Sequence, residues 1–250
     1  MNVLLTNDDG VFAPGLRALG DAFSAEGHGV LVCAPDRERS AASHSVTIGK
    51  LIGVEPVDFP GAKRAWAADG TPADCASLGL FLAREAGERV DLVVSGINRG
   101  MNQGGACIYS GTVGAAMEAA MCGCQGLAVS LCLDPGDARP DYGPAARVAL
   151  RVARWALAHP LPLGVMYNLN VPPLPYERIR GVAAARLSPV FLDPPSYVPA
   201  GERAWQYHGA PRTYDDPAYD TVKTATGYCS LTRLTWDFRL DADDGEIELR

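Results

Sequence analysis

Short apolar runs alternate with helical patterns along most of the chain. Val3 to Thr6 is a compact apolar run, Gly15 to Ala25 repeats its apolar residues at helical spacing, and Val30 to Ala34 is a second run. Together they predict an opening β-α-β unit. Pro14 stands before the helix and Gly27 and Gly29 after it, as the preference for proline in the first turn and glycine past the end would have it. Thr71, Pro72 and Asp74 supply an N-cap, a first-turn proline and a first-turn acid for a helix reaching about Ala83. Asp91 to Ser95 reads as a buried strand, Thr112 to Met121 as a helix of Ala and Met packed closely on a sheet, and Leu127 to Leu131 as the next strand. Between Ala145 and Ala158 one helix face gathers Val148, Ala149, Val152, Trp155 and Ala156, while Arg147, Arg151 and Arg154 line the opposite, solvated face. Strand-like runs follow at Val165 to Val171, Gly181 to Leu187 and Tyr228 to Leu234. This β-α alternation specifies an α/β fold with a mostly parallel sheet.

The character changes from Ser188 to about Ala225. Pro189, Pro194, Pro195, Pro199, Pro211 and Pro217 interrupt any long regular element, and Trp205, Tyr207 and Tyr214 sit among polar residues. Such a segment reads as an extension carrying a subunit contact, a lid, or an ordered surface loop. The expected organisation is a core over 1–187, a proline-rich arm over 188–227, and a returning strand with a charged tail over 228–250.

Composition narrows the classes of partner. The 250 residues are 48% hydrophobic and 20% charged, enough to bury a sizeable core. The formal charge is −7, and no run of Lys or Arg could track a polynucleotide backbone, so a nucleic-acid polymer is not an expected partner. An anionic small molecule would need a local offset, either a metal ion or backbone N–H groups at a helix start. Seven cysteines, an odd number without C-x-x-C spacing, read as reduced core residues, Cys122 and Cys124 included. The start has no basic segment before its short apolar run, and no stretch approaches the roughly 20 apolar residues of a membrane span, so neither a leader nor a membrane is expected and the expected compartment is the cytoplasm.

In a sheet of this kind ligands bind beyond the carboxyl ends of the strands. Three post-strand segments concentrate polar residues: Asn7 to Gly10, Asp36 to Ser40, and Gly96 to Gly104. Asp8 and Asp9 at a strand end before a glycine can turn toward one point, where their charges repel unless a cation joins them. Oxygen donors of the Asp, Ser and Asn types suit a hard divalent ion, Mg²⁺ or Mn²⁺. Taken alone, the pair also fits a turn cap beside a solvated acid. Gly96, Gly100 and Gly104 recur every four residues and suit a tight loop, but match neither a P-loop nor a dinucleotide fingerprint. Ser110, Gly111 and Thr112 stand where a helix begins, with hydroxyl and N–H groups that could face phosphate.

The motifs L-L-T-N-D-D-G-V-x-A-P-G at 4–15, A-P-D-R-x-R-S at 34–40, G-T-P-A-D-C at 70–75, V-S-G-I-N-x-G-x-N at 94–102 and Y-S-G-T-V-x-A-A-M-E at 109–118 follow in order. With them the chain resembles the SurE family of metal-dependent 5′/3′-nucleotidases, from Met1 to about Val171 and again at Asp220 and Gly227 to Thr232. The resemblance implies a Rossmann-like three-layer core, an extended C-terminal hairpin and a homodimer or homotetramer. It implies one divalent metal per subunit on Asp8, Asp9, Ser40 and Asn98, and a nucleoside monophosphate substrate whose phosphate lies near Asn98, Asn102, Ser110, Gly111 and Thr112. Arg233 stands where the family pattern has proline, and the charged tail does not read as the expected terminal helix.

The expected reaction is phosphomonoester hydrolysis, with Asp8 or Asp9 acting as base as well as ligand. Possible additional activities are 3′-nucleotidase and exopolyphosphatase. Ser43 and His44 are further candidates for phosphate contact or for protonating the leaving oxygen, against an ordinary polar role for a loop histidine; Asp74 and Glu118 read as structural. The alternative is a noncatalytic nucleotide-binding module, which would bind nucleotide without metal.

Overall fold

A sheet whose strands are apolar on both faces needs a layer on each, and the elements occur in the order that supplies them. The computed structural model describes residues 1–133, 140–189, 196–208 and 212–237. The chain opens with β1 (Asn2–Thr6), α1 (Pro14–Ala25) and β2 (Gly29–Pro35), then makes two short strands, β3 (Val54–Pro56) and β4 (Arg64–Ala68). It continues through α2 (Pro72–Glu85), β5 (Leu92–Arg99), a 3-10 turn at Gly104–Tyr109, α3 (Gly111–Met121), β6 (Gln125–Leu131), α4 (Gly143–Ala158), β7 (Val165–Val171) and β8 (Val182–Ala184). A separate hairpin of β9 (Ser196–Gly201) and β10 (Ala204–His208) precedes α5 (Asp220–Ala225) and β11 (Cys229–Thr235).

The main sheet runs β3-β4-β2-β1-β5-β6-β7-β11-β8. β4, β2, β1, β5, β6 and β7 are parallel; β3 pairs antiparallel with β4, β11 antiparallel with β7, and β8 parallel with β11. Strand alternation sorts the core. Val3 and Leu5 of β1, with Val30, Val32 and Ala34 of β2, join Leu16, Leu19 and Phe23 of α1 and the apolar face of α4. Leu4, Leu31 and Cys33 point to the other side, where Cys75, Ala83 and Ala119 of α2 and α3 meet them. The sheet is Rossmann-like, and its order reverses between β1 and β5, where such a sheet opens a crevice beyond its carboxyl ends.

Most expected elements stand within two or three residues of their sequence bounds, and three differences have local causes. The run expected at Gly181 to Leu187 forms only the edge strand β8: Ala185 still bonds Leu231 of β11, but Arg186 turns to bond Ala218 and bridge Tyr219. β3 and β4 carry little strand signal, because one is three residues long and the other, Arg-Ala-Trp-Ala-Ala, is mostly alanine and has no β-branched residue. α5 lies inside the proline-rich stretch as a six-residue helix after Pro217, where no periodicity can develop. Among the cysteines, Cys122 is exposed, and Cys124 and Cys132 are half-buried, since the first two lie at the surface turn ending α3. Tyr197 and Trp205 of the hairpin are exposed, as is Arg151 on α4. The tail from 238 onward, Pro194, Pro195 and Pro211, and the side chain of Tyr207 lie outside the described residues. No helix among the described residues is long and apolar enough to cross a membrane.

The start of α2 has the expected N-cap, first-turn proline and first-turn acid, and Thr71 and Asp74 close a full capping box. The Thr71 hydroxyl accepts from Asp74 N–H, the Asp74 carboxyl accepts from Thr71 N–H, and it also takes Thr47 N–H at 2.9 Å and Thr47 O–H at 2.6 Å. Burial works to raise the Asp74 carboxyl, but these bonds outweigh it and hold its pKa below 3.8. Asp74→Ala therefore costs about 1–3 kcal/mol at neutral pH. A group depressed in the folded state stabilises above its unfolded value and loses that contribution as pH falls through the folded one. Urea denaturation should show the gap between wild type and variant at pH 7 and its closure in strong acid; equal gaps at both would contradict the assignment.

Candidate active site

Asn7, fully buried at the end of β1, sets the first loop. Its amide donates to Gly10 O at 2.9 Å and its oxygen accepts from Gly10 N–H at 3.2 Å, an Asx-type turn that swings Asp8 and Asp9 out of the strand. Gly10 closes it at φ 105°, a conformation that favours glycine. Main-chain bonds from Val11 to Pro35 O and from Arg39 to Asp8 O stitch this loop to the one after β2, bringing Glu38 and Ser40 alongside. Asn98 arrives from β5, whose register against β6 is interrupted between Ser95 and Asn98, so the strand end is re-aimed where the crevice opens.

Asp9, Ser40 and Asn98 line one cavity of about 590 Å³, together with Glu38, Arg99, Ala13, Pro14, Pro140 and Tyr142. A larger apolar hollow near 770 Å³ lies elsewhere, over α4 and β8 around Trp155, and contains none of the chemistry. Asp8 sits behind Asp9, 4% exposed, and turns toward α3: the Thr112 hydroxyl donates to its Oδ1 at 2.5 Å, and Thr112 N–H and its own N–H also bond it. Asp8 thereby takes the place at the N-terminus of α3 that an anion would occupy. Its residual environment is still hostile to charge, because burial raises its pKa despite these donors. Asp9 is pushed to about 6, first by burial, then by the charge of Asp8, against a bond from Arg99 N–H and with Glu38 adding repulsion. Two neighbouring carboxyls both held above their ordinary value mark a place short of positive charge.

That shortage is the fit expected of a divalent ion. Among the described residues no cluster of three or more His, Cys, Asp and Glu has metal-binding geometry. The donor set here is instead two carboxyls with a hydroxyl and an amide oxygen, the chemistry of Mg²⁺ or Mn²⁺. The Ser40 hydroxyl donates its hydrogen to Glu38 at 2.6 Å, which leaves its lone pairs for a cation, and the Asn98 amide donates to Gly100 O at 3.0 Å, which leaves its oxygen.

The remaining candidates are engaged elsewhere. Ser110 caps α3, its Oγ accepting from Val113 N–H at 3.1 Å, and Gly111 lies so close that a Cβ on it would stand 3.0 Å from Asp8 Cβ. Asn102 is 7% exposed and its amide donates to Ser130 Oγ at 2.9 Å, turned into the sheet. Ser43 donates to Ile108 O at 2.5 Å, and His44 Nε2 meets Glu118 at 2.8 Å. Ser43 thus holds the 40–45 loop on the 3-10 turn and His44 holds it on α3, and within the loop Ala41 and Ser43 both adopt φ 56°, a strained left-handed conformation beside Ser40. Glu38, Arg99 and Tyr142 were not singled out from sequence. Glu38 and Arg99 lay within polar segments already recognised, whereas nothing local marks Tyr142.

The comparisons agree with the motifs. The model of the survival protein SurE family matches residues 3–191. The chain belongs to the SurE family. A relative from Synechococcus sp. (strain JA-3-3Ab), named 5′-nucleotidase SurE, is 40% identical over 244 residues, covering 95% of this chain and 92% of its own. Another of the same name, from Anaeromyxobacter sp. (strain K), is 49% identical over 188 residues, or 75% of this chain and 68% of the relative. The crystal structure of the SurE protein from Aquifex aeolicus superposes with a TM-score of 0.81 at 32% identity, covering 96% and 95% of the two chains.

The raised carboxyls have a measurable sign in the metal-free protein. An acid whose pKa is higher folded than unfolded costs stability as pH rises from 3.8 to about 6, and the cost persists above. In EDTA at pH 7.5, Asp9→Asn should therefore melt above wild type, by roughly 2–4 °C for each kcal/mol relieved. The difference should vanish below about pH 4, near the ordinary carboxylate range. A variant that melts lower at pH 7.5 would show that Asp9 is already compensated by protein groups.

Proposed function

We propose that the chain is a divalent-metal-dependent phosphomonoesterase that hydrolyses nucleoside 5′-monophosphates to nucleoside and phosphate. The observation that carries this reading is the pair Asp8 and Asp9, both held above their ordinary pKa at the switch point of the sheet and backed by oxygen donors on two further loops. Family membership and the nucleotidase names of relatives supply the substrate class. Asp8, Asp9, Ser40 and Asn98 would hold one Mg²⁺ or Mn²⁺ ion, which when bound neutralises charge on the phosphoryl group and activates water.

The protein groups divide the rest of the work. Asp9 faces the cavity and is placed to orient water and accept its proton, whereas Asp8 is fixed by Thr112 as a rigid ligand. Asn98 would face the phosphate, whereas Ser110 and Thr112 at the start of α3 already serve Val113 N–H and Asp8 and would reach it only by sharing those partners. Asn102, Ser43 and His44 would reach phosphate only by releasing the partners they hold. Arg99 and Tyr142, lining the same cavity, suit the charge and the flat apolar part of a nucleotide. Activity toward 3′-nucleotides and polyphosphate, a cytoplasmic location, the arm at 188–227 as a separate unit, and a homodimer or homotetramer formed through the exposed hairpin belong to the same proposal. Among the described residues the hairpin joins no third strand and exposes Tyr197 and Trp205, and a two-stranded hairpin is marginally stable by itself.

The test is phosphate release from a panel of nucleoside 5′- and 3′-monophosphates and short polyphosphate, in EDTA and with Mg²⁺ or Mn²⁺. Release should require metal, favour the 5′-nucleotides, and fall about 100- to 1,000-fold in Asp9→Asn. Nucleotide bound in EDTA with no release under any metal would replace the enzyme with a binding module.

A further inference from the structure

The loop that carries Asn98 is held from the far end of the chain. Asn98 to Gly104 crosses the ends of β6 and β7, where Asn102 N–H donates to Asn170 Oδ1 at 2.9 Å, and Asn102 O accepts from the amides of Asn168 and Asn170, each at 2.9 Å. These bonds fix the loop's middle. Its exit is fixed by α5, more than a hundred residues later. Gly104 N–H donates to Asp220 Oδ2 at 2.8 Å, and Gln103 Nε2 donates to Asp220 O and to Thr224 Oγ1, both at 2.9 Å. The other carboxyl oxygen, Asp220 Oδ1, accepts from Ser188 N–H at 3.0 Å and Thr221 N–H at 2.9 Å.

Asp220 is fully buried and makes no ion pair among the described residues, so its two oxygens rest on three backbone N–H groups. A buried carboxyl without a cation is costly unless such donors satisfy it, which makes this a junction that tolerates little change. The fit is close as well. Gly104 has φ 50°, and a Cβ there would stand 2.6 Å from Ser188 Oγ and 2.9 Å from Ser188 O. One side chain thus ties the exit of the Asn98 loop, the root of the arm at Ser188 and the first turn of α5 together. The 3-10 turn beginning at Gly104 runs directly into Ser110 and Thr112, the residue that holds Asp8.

We propose that Asp220 is a positioning residue of the metal site: through Gly104 and the turn that follows, it sets the placement of Asn98 on one side and Thr112 with Asp8 on the other. The inference rests on the metal-site reading above and adds to it a residue that touches neither metal nor substrate. It makes the C-terminal segment part of the site's framework.

Asn at this position is nearly isosteric but has a single acceptor oxygen. If that oxygen keeps Ser188 and Thr221, the NH₂ group faces Gly104 N–H, donor against donor, and the Asn98 loop is released. Asp220→Asn should then raise hydrogen exchange over 98–112 while β1 and β2 keep their protection. Calorimetric titration with Mn²⁺ should show Kd weakened about 10- to 100-fold at unchanged stoichiometry, with a similar loss in kcat. Reduced stoichiometry at unchanged Kd would mean an unfolded fraction and overturn the proposal, as would unaltered exchange over 98–112. Should the variant not fold, Gln103→Met removes the second tether and leaves the carboxyl in place. It should move exchange and Mn²⁺ affinity the same way, and no change in either would also overturn the proposal. Wild type that binds Mn²⁺ yet releases no phosphate sinks the nucleotidase reading instead, while exchange and Mn²⁺ affinity still decide the role of Asp220.

Discussion

Two carboxyls sit side by side at the end of β1, and the burial of their charge governs the arrangement around them. Asp8 is buried deeply enough that its ionised form needs several donors, and it finds them in Thr112 and its own backbone at the start of α3. Asp9, with one backbone donor from Arg99, remains at about 6. The donors do not close the deficit. The protein holds the pair in this state by fixing its surroundings, since a loop free to move would let both side chains turn to water. The stitched loops after β1 and β2, the strained turn at Ala41 and Ser43, and the buried bonds around Asn102 are the rigid walls that keep the charges together.

The fold delivers these walls at one place because of how a parallel sheet is wound. Reversal of strand order between β1 and β5 separates the loops that would otherwise cover the strand ends, and polar groups there can face a shared opening. The price appears at the other end of the sheet. β11 runs antiparallel beside β7 and carries α5 with it, which lets Asp220 reach the loop leaving β5. The antiparallel return thus finishes the sheet and also braces its functional edge.

How much of this the sequence disclosed follows the range of the interactions. α1 was legible because Leu16, Leu19 and Phe23 repeat at helical spacing after a proline, and α2 because Thr71 and Asp74 cap it within four residues. β3 and α5 were not, being three and six residues long, too short for a period to show, and β4 was not because its alanines carry little strand preference. The site divides in the same way. Asp8, Asp9, Ser40 and Asn98 lie in compact motifs after strands, and their residue types alone suggest a hard cation. The commitment of Thr112 to Asp8, of Asn102 to Ser130 and of Gly104 to Asp220 spans 104, 28 and 116 residues of chain, and no local pattern encodes it. Those long-range bonds turn hydroxyl and amide groups that looked like ligand contacts into supports.

Charge explains why a protein with a formal charge of −7 can still be built to receive a phosphate ester. Among the described residues Asp9 and Glu38 line the cavity, Asp8 stands behind them, and Arg99 brings the one cationic side chain to its lining. Three acids against one guanidinium leave a site that repels a phosphate dianion when empty of cations. A bound divalent ion would bring that sum near zero, and the phosphate would restore a negative total that the Asn98 amide could meet with its dipole. Metal would consequently bind before nucleotide, because the reverse order would place two more negative charges beside carboxyls whose charged form burial already disfavours. The order of binding thus follows from the same burial and neighbouring charge that raise Asp9.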